Sequence, residues 1–393
     1  MKLLPEENER IFLTEQDMKD FFVEQESREI WKTCYTNELT VFPVPGRSCA
    51  LYDAENVRRS CAFDTGKVSD DSIHETVDGS KLGISVPLER KENYPVGSTA
   101  FISLIQRAGY GSASVITCQK NKTSQKEMSP DDKSLVLNLG LKCFANKALV
   151  LIRDEKVRAV LSGDESDYSR LPCSLLYQKM TDVLDGMYSK WTFESASTSH
   201  LFTTVLINLN DEKLKKDIQE TFLKARIKES GVPMVRMVTS DVGRSGANLY
   251  PILRNSMGRE ITIGIPLTLT HSDRHSVDDF GNNVMMITAM FRDAKKNLEE
   301  MSHRQINHPA GCLRAVAKKC SLPKKLVCNE AKIFEATYVK AYEIDVYYKL
   351  FDLLDMYIME NHLTAARALP IQESIARIAF TNMSDHDYEF DWD

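Results

Sequence analysis

Arginines, lysines and one tyrosine suited to phosphate and base recognition gather in two stretches of the chain. The first, TSDVGRSGANLYPILRN at 239–255, has two arginines and a tyrosine, with a further arginine just before it and another just after. The second, 303–326, contains six arginines or lysines and no acidic residue. Cations that neutralise phosphates release counterions, a large part of nucleic-acid affinity. We predict a nucleic-acid surface in which the tyrosine stacks on a base, formed by Arg236, Arg244, Tyr250, Arg254, Arg259, Lys318, Lys319, Lys324 and Lys325.

The glycines of the first stretch, Gly243 and Gly246, raise the question of a phosphate-binding loop. A P-loop needs a lysine and a serine or threonine after its last glycine, at the start of a helix. Here Ala247 follows, and the next residues have a strand-like pattern. A dinucleotide-binding loop would need a third glycine and a helix. The pattern therefore predicts a tight hairpin turn. A second interpretation stays open, in which Arg244 and Arg254 hold an anionic ligand.

Metal and catalytic chemistry have weaker candidates. His271 and His275 are four residues apart and would face one side of a helix, but the segment has a loop-like composition. Three cysteines recur every eight residues, too far apart for a zinc site, and the carboxylates between 345 and 360 lie on the polar side of an amphipathic helix. We predict no catalytic residue, no metal site and no cofactor.

The last ten residues, SDHDYEFDWD, alternate acids with aromatic residues. Such tails in single-strand-binding proteins recruit partner proteins and compete for the protein's own basic groove. A disordered, solubilising end is the alternative. The pattern predicts a protein-binding segment formed by Asp385, Asp387, Phe390, Asp391 and Trp392.

Bulk composition favours a cytoplasmic protein. The net charge is -6 over 393 residues, so any nucleic-acid contact must come from a local basic patch. No stretch approaches 18 uncharged apolar residues, and we predict no membrane contact. The nine cysteines are odd in number and scattered, which favours a reduced compartment. A homo-oligomer remains an open alternative to a monomer.

Hydrophobic periodicity predicts an α+β fold: a curved, mainly antiparallel sheet packed by helices, with a helical C-terminal region. The predicted strands lie near 148–162, 191–208, 233–255 and 259–271. Ser129 and Pro130 mark the start of a helix whose buried stripe includes Leu135 and Leu139. Residues 64–93 are rich in turn formers and predict a long loop with one short strand.

Changes in composition divide the chain into four parts. We predict an N-terminal region with a helix and long loops, an α+β core, a helical C-terminal region and the acidic aromatic tail. Their bounds are 1–93, 94–310, 311–383 and 384–393.

Three stretches carry a resemblance to a known family: YPVGSTAFISLIQRAGY, VRAVLSGDESDYSRLPCSLL and VTSDVGRSGANLYPILRN. Their order resembles that of the phage/plasmid-like protein family, a domain of unknown function found in phages, prophages and conjugative plasmids. The resemblance covers roughly residues 90–310. It implies a mobile-element protein and supplies no catalytic residues. The β-β-β-α order at 191–301 also resembles that of phage single-strand annealing recombinases.

Together these observations predict a non-enzymatic mobile-element protein that binds nucleic acid during replication or recombination. We expect the bound nucleic acid to be single-stranded. One alternative is a phage factor that acts on a host defence complex through its acidic tail. Another is a metal-dependent phosphotransfer enzyme or nuclease.

Overall fold

Helices and antiparallel sheets make up the chain, which confirms the α+β class and the helical C-terminal region. Among the helices that are described, none is both long and apolar enough to cross a membrane. The computed structural model describes residues 9–45, 53–64, 67–111, 128–224, 231–255, 258–272, 274–338, 340–381 and 383–392.

The helices begin where capping residues and apolar periodicity coincide. Thr14, Ser69, Ser129 and Ser276 each cap a helix with a side chain that accepts from a first-turn backbone amide. The described α-helices are α1 Glu15–Ser27, α2 Ala54–Ser60, α3 Asp70–Asp78, α4 Ser98–Arg107, α5 Pro130–Cys143, α6 Cys173–Met187, α7 Glu212–Lys224, α8 Val277–Met285, α9 Ile287–Met301, α10 Pro309–Lys319, α11 Lys324–Thr337, α12 Glu343–Asn361 and α13 Ala365–Thr381.

Short strands rich in β-branched residues complete the secondary structure. They are β1 Arg10–Phe12, β2 Ile30–Tyr35, β3 Thr40–Pro43, β4 Leu82–Pro87, β5 Lys91–Pro95, β6 Lys147–Arg153, β7 Lys156–Ser162, β8 Thr192–Thr198, β9 Thr203–Asn208, β10 Gly231–Thr239, β11 Ala247–Asn255, β12 Glu260–Thr262, β13 Leu267–Leu269, β14 Gln305–Ile306 and β15 Ala341–Tyr342.

The largest sheet has seven strands in the order β1-β8-β9-β10-β11-β12, with β13 also paired to β11. The predicted strands near 191–208, 233–255 and 259–271 all belong to it, although the last is split into two short strands. The predicted strands near 148–162 do form a hairpin, but they pair with β2 in a separate three-stranded sheet. The prediction that these strands belong to the same sheet as the others was therefore wrong.

Residues 64–93 also differ from the expected long loop. They contain helix α3, strand β4 and the start of β5. Ile73 and Val77 lie four residues apart and are both buried, so the segment has a helical stripe that its many polar residues obscure. In α5 the buried face carries Leu137 and Leu141, whereas Leu135 and Leu139, both predicted to be buried, are exposed.

Side chains of the large sheet alternate between two covered faces. On one face Val235 and Met237 join the main core, which extends from α1 to the C-terminal helices. On the other, Met234 and Ile252 pack with Leu369 of α13. Helix α13 therefore lies over the sheet face that carries the even-numbered residues of β10 and β11.

Candidate functional site

The glycine stretch is a hairpin turn, as the sequence predicts. It joins β10 to β11, which pair in antiparallel register. Gly243 has a φ of 72°, and a Cβ atom on Gly246 would lie 2.3 Å from the carbonyl oxygen of Leu269. A strand follows instead of a helix, so the turn lacks the helix start that a phosphate-binding loop requires. Arg244 is exposed at its tip.

Two of the predicted nucleic-acid arginines are paired with carboxylates inside the fold. Arg236 is 5% exposed, and its guanidinium donates to Glu260 and, at 3.0 Å, to Gln372 of α13. Arg254 lies 3.2 Å from the other Glu260 oxygen and 3.4 Å from Glu194. The assignment of both arginines to an open nucleic-acid surface is therefore corrected, because their charges are already balanced.

Arg259 is held by helix α12. Its guanidinium lies 2.8 Å from Asp352 and 2.7 Å from Asp355. The sequence predicts that these acids lie on the outer face of an amphipathic helix, and the fold brings that face to the sheet edge. Arg259 is thereby removed from the predicted surface as well.

Tyr250 lies opposite Arg236 in the sheet register and is 5% exposed. Its hydroxyl donates to Glu373 of α13 at 2.9 Å. Burial, reinforced by Glu373, raises the pKa of this phenol. A base cannot stack on the ring while α13 covers this face, so the predicted stacking role is corrected.

The four predicted lysines differ from these residues in being exposed. Lys318, Lys319, Lys324 and Lys325 surround the turn between α10 and α11, and all four are exposed. Within the described part of the chain, none of them forms a salt bridge with a carboxylate. We call this group the lysine turn. Of the nine predicted nucleic-acid residues, these four and Arg244 have side chains open to solvent.

The acidic tail is docked along α10, next to the lysine turn. Asp387 accepts from the backbone amides of Asn307 at 2.9 Å and His308 at 2.7 Å, which satisfies donors at the start of α10. A Cβ atom on Gly311 would lie 2.1 Å from the carbonyl oxygen of Tyr388, so the two backbones approach closely. Trp392 packs against the main core.

Three tail residues contact cations of α10. The carbonyl oxygen of Phe390 accepts from Arg314 at 3.3 Å, and Asp391 lies 3.7 Å from the same side chain. The Lys318 ammonium lies 5.3 Å from the Phe390 ring centre. Lys319 lies 3.3 Å from Nε2 of His386. Of the five predicted partner-binding residues, Asp387, Phe390, Asp391 and Trp392 thus have contacts within the chain. The Asp391 side chain is nevertheless 93% exposed, and Asp385 is exposed as well.

The two candidate metal-binding histidines serve different contacts. His271 is buried against Tyr168, with ring centres 5.0 Å apart, and its Nδ1 lies 3.0 Å from the carbonyl oxygen of Ser169. His275 is held by Thr270 at 3.0 Å. Among the described residues, no group of three or more His, Cys, Asp or Glu side chains is arranged to hold a metal ion.

A charged cleft of about 620 Å³ was not anticipated from the sequence. Its floor holds Lys156 and Arg158 of β7, which are 1% and 7% exposed. Glu75 of α3 accepts from Lys156 and lies 3.6 Å from Arg158. Arg158 also donates to Nδ1 of His200 at 3.0 Å, and burial lowers the pKa of that imidazole. One sequence signal could have indicated the cleft. Lys156 and Arg158 are two residues apart in an apolar strand, which places both side chains on the same face.

In comparisons with known proteins, no protein-family model, no curated protein and no solved structure matches the chain.

Proposed function

We propose that this chain is a mobile-element protein that binds the phosphate backbone of nucleic acid through the lysine turn, without chemistry of its own. One observation carries the proposal. Four exposed ammonium groups surround a single helix–helix turn, and within the described part of the chain none is neutralised by a carboxylate. Exposed lysines without a carboxylate partner are the groups that exchange condensed counterions for phosphate contacts.

The docked tail supports the same proposal. Its carboxylate and carbonyl oxygens already contact Arg314, and its Phe390 ring lies beside Lys318. The tail therefore occupies part of the basic surface that phosphates would contact. Lys324 and Lys325, at the start of α11, remain clear of it and provide the first contacts.

The geometry favours sequence-independent binding of phosphates. The lysine turn offers ammonium groups, which act as point charges, and the one predicted stacking residue is buried. We therefore propose contact with the phosphate backbone, and a preference for single strands would have to arise from backbone flexibility.

A charge-reversal pair tests the proposal. Lys324→Glu with Lys325→Glu should weaken binding of a fluorescent oligonucleotide by about tenfold or more, because two phosphate contacts become repulsive. Lys213→Glu with Lys216→Glu is the matched control, since it makes the same charge change on exposed lysines of α7. Equal losses in the two variants, or no binding by the parent chain, would overturn the proposal.

A further inference from the structure

A buried imidazole joins the start of the tail to α10. His386 ends a 3-10 turn, Met383–His386, and is 4% exposed. Its Nε2 lies 3.3 Å from the Lys319 ammonium. An ammonium group only donates hydrogen bonds, so Nε2 accepts, and the imidazole in this contact is neutral with its proton on Nδ1. The contact therefore exists only while His386 is unprotonated.

The charged groups around this imidazole come from three segments. Helices α10 and α13 pack against the 3-10 turn. From α10 come the Lys319 ammonium and the thiol of Cys312, which stays neutral because burial raises its pKa to about 12. Between 375 and 381, α13 carries one charged residue, Arg377, which pairs with Glu373 at 2.7 Å. The turn itself adds the exposed carboxylate of Asp385.

Burial and the neighbouring ammonium both disfavour a charged imidazole at this place. Together they lower the pKa of His386, and Asp385 opposes them only in part. A free imidazole has a pKa of about 6.5. The contribution of this contact to docking of the tail is therefore complete above about pH 6.5, and it is lost as the pH falls toward the lower pKa of the docked imidazole. One pH unit below that of the free imidazole, the docking equilibrium can fall by up to about tenfold.

We propose that His386 is a pH-sensitive contact whose protonation weakens docking of the tail on α10. A protonated Nε2 no longer accepts from Lys319, and two positive charges 3.3 Å apart at a buried site repel each other. The nearby His308 takes part in docking through its backbone amide, which donates to Asp387, and not through its ring. Protonation of one imidazole thus changes the docking of the tail.

Release of the tail acts on the proposed nucleic-acid surface, and this part of the inference rests on the proposed function. The docked tail contacts Arg314 through the Phe390 carbonyl oxygen and places the Phe390 ring 5.3 Å from the Lys318 ammonium. Without the tail, these two cations and Lys319 are open to phosphates together with the rest of the lysine turn. We expect mild acid to raise the affinity for nucleic acid by this route.

Fluorine NMR of Trp392 tests release in the absence of nucleic acid. The chain has three tryptophans, so incorporated fluorotryptophan gives three signals, and Trp392→Phe identifies the one from the tail. As the pH falls from about 7.5 to about 5.5, the Trp392 signal of the full chain should move toward its position in a peptide of residues 383–393. His386→Gln keeps an uncharged acceptor toward Lys319 and should hold the signal in place. His362→Gln changes an exposed histidine at the end of α12 and should respond like the parent.

The ring proton signal of His386 should titrate with the same midpoint as the Trp392 signal. The parent chain therefore decides the test even if the glutamine variant docks its tail less firmly. An unmoved Trp392 signal in the parent, the same movement in His386→Gln as in the parent, or two different midpoints would each overturn the proposal.

Oligonucleotide affinities at the two pH values separate this proposal from the proposed function. Between about pH 7.5 and about pH 5.5, the parent should gain several-fold more affinity than His386→Gln. If the Trp392 signal moves while both chains gain affinity equally, release of the tail stands and its competition with nucleic acid is contradicted. If neither chain binds at either pH, the lysine turn is contradicted and release of the tail stands.

Discussion

Glu260 shows how single residues decide which cations are available to a ligand. One of its oxygens accepts from Arg236 and the other lies 3.2 Å from Arg254, so two positive charges eighteen residues apart share one carboxylate. The sequence displays both arginines in a basic stretch but does not show the carboxylate that faces them. A buried arginine of this kind contributes to the fold and leaves no charge for phosphate.

Glu260→Ala tests that structural role. Because Arg236 would remain buried without its carboxylate, we expect the free energy of unfolding to fall by about 3 kcal/mol in urea titrations. Glu220→Ala, an exposed glutamate of α7, should stay within about 0.5 kcal/mol of the parent. A stable Glu260→Ala chain with tighter oligonucleotide binding would show instead that the arginines are free to contact nucleic acid.

At the scale of elements, the tail and α10 form one unit. Asp387 satisfies donors at the start of α10, and further along the tail Asp391 and Phe390 contact Arg314 and Lys318. Under the proposed function, a phosphate backbone would use the same cations as the tail, and we expect the two to compete.

Asp391→Asn tests this competition. The substitution removes the charge beside Arg314, and we expect oligonucleotide affinity to rise several-fold, as one more cation becomes available. Asp385→Asn changes the net charge equally at an exposed tail position outside these contacts. Fluorescence anisotropy that shows the same gain for both variants would indicate a general charge effect and contradict the competition.

Elements defined by local pattern were predictable. The β10–β11 hairpin follows from two glycines between alternating apolar runs, and the start of α5 follows from Ser129 and Pro130. The distant segments that pack against these elements were not predictable from the sequence. Nothing local to α13 indicates that Gln372 and Glu373 cover Arg236 and Tyr250 of the sheet, because that contact joins segments more than 100 residues apart.

For the molecule as a whole, folding brings acidic residues from the C-terminal part of the chain against cations of the two basic stretches. Acids of α12 neutralise an arginine at the sheet edge, and the tail contacts three cations of α10. Of the predicted nucleic-acid residues, Arg244 and the lysine turn remain exposed, and the sequence predicted the four lysines as a cluster within eight residues. The cleft escaped prediction because α3, β7 and the start of α4 meet there from distant positions.

The salt dependence of oligonucleotide binding tests the central claim most directly. Affinities of the full chain for single- and double-stranded oligonucleotides, measured between about 50 and 200 mM salt, should fall linearly on logarithmic axes. Four phosphate contacts predict a slope of about -3 for single strands and slightly steeper for duplex. The Lys324→Glu and Lys325→Glu pair should lower the slope magnitude by about 1 to 2. A slope near zero, or a slope that the pair leaves unchanged, would contradict binding through the lysine turn.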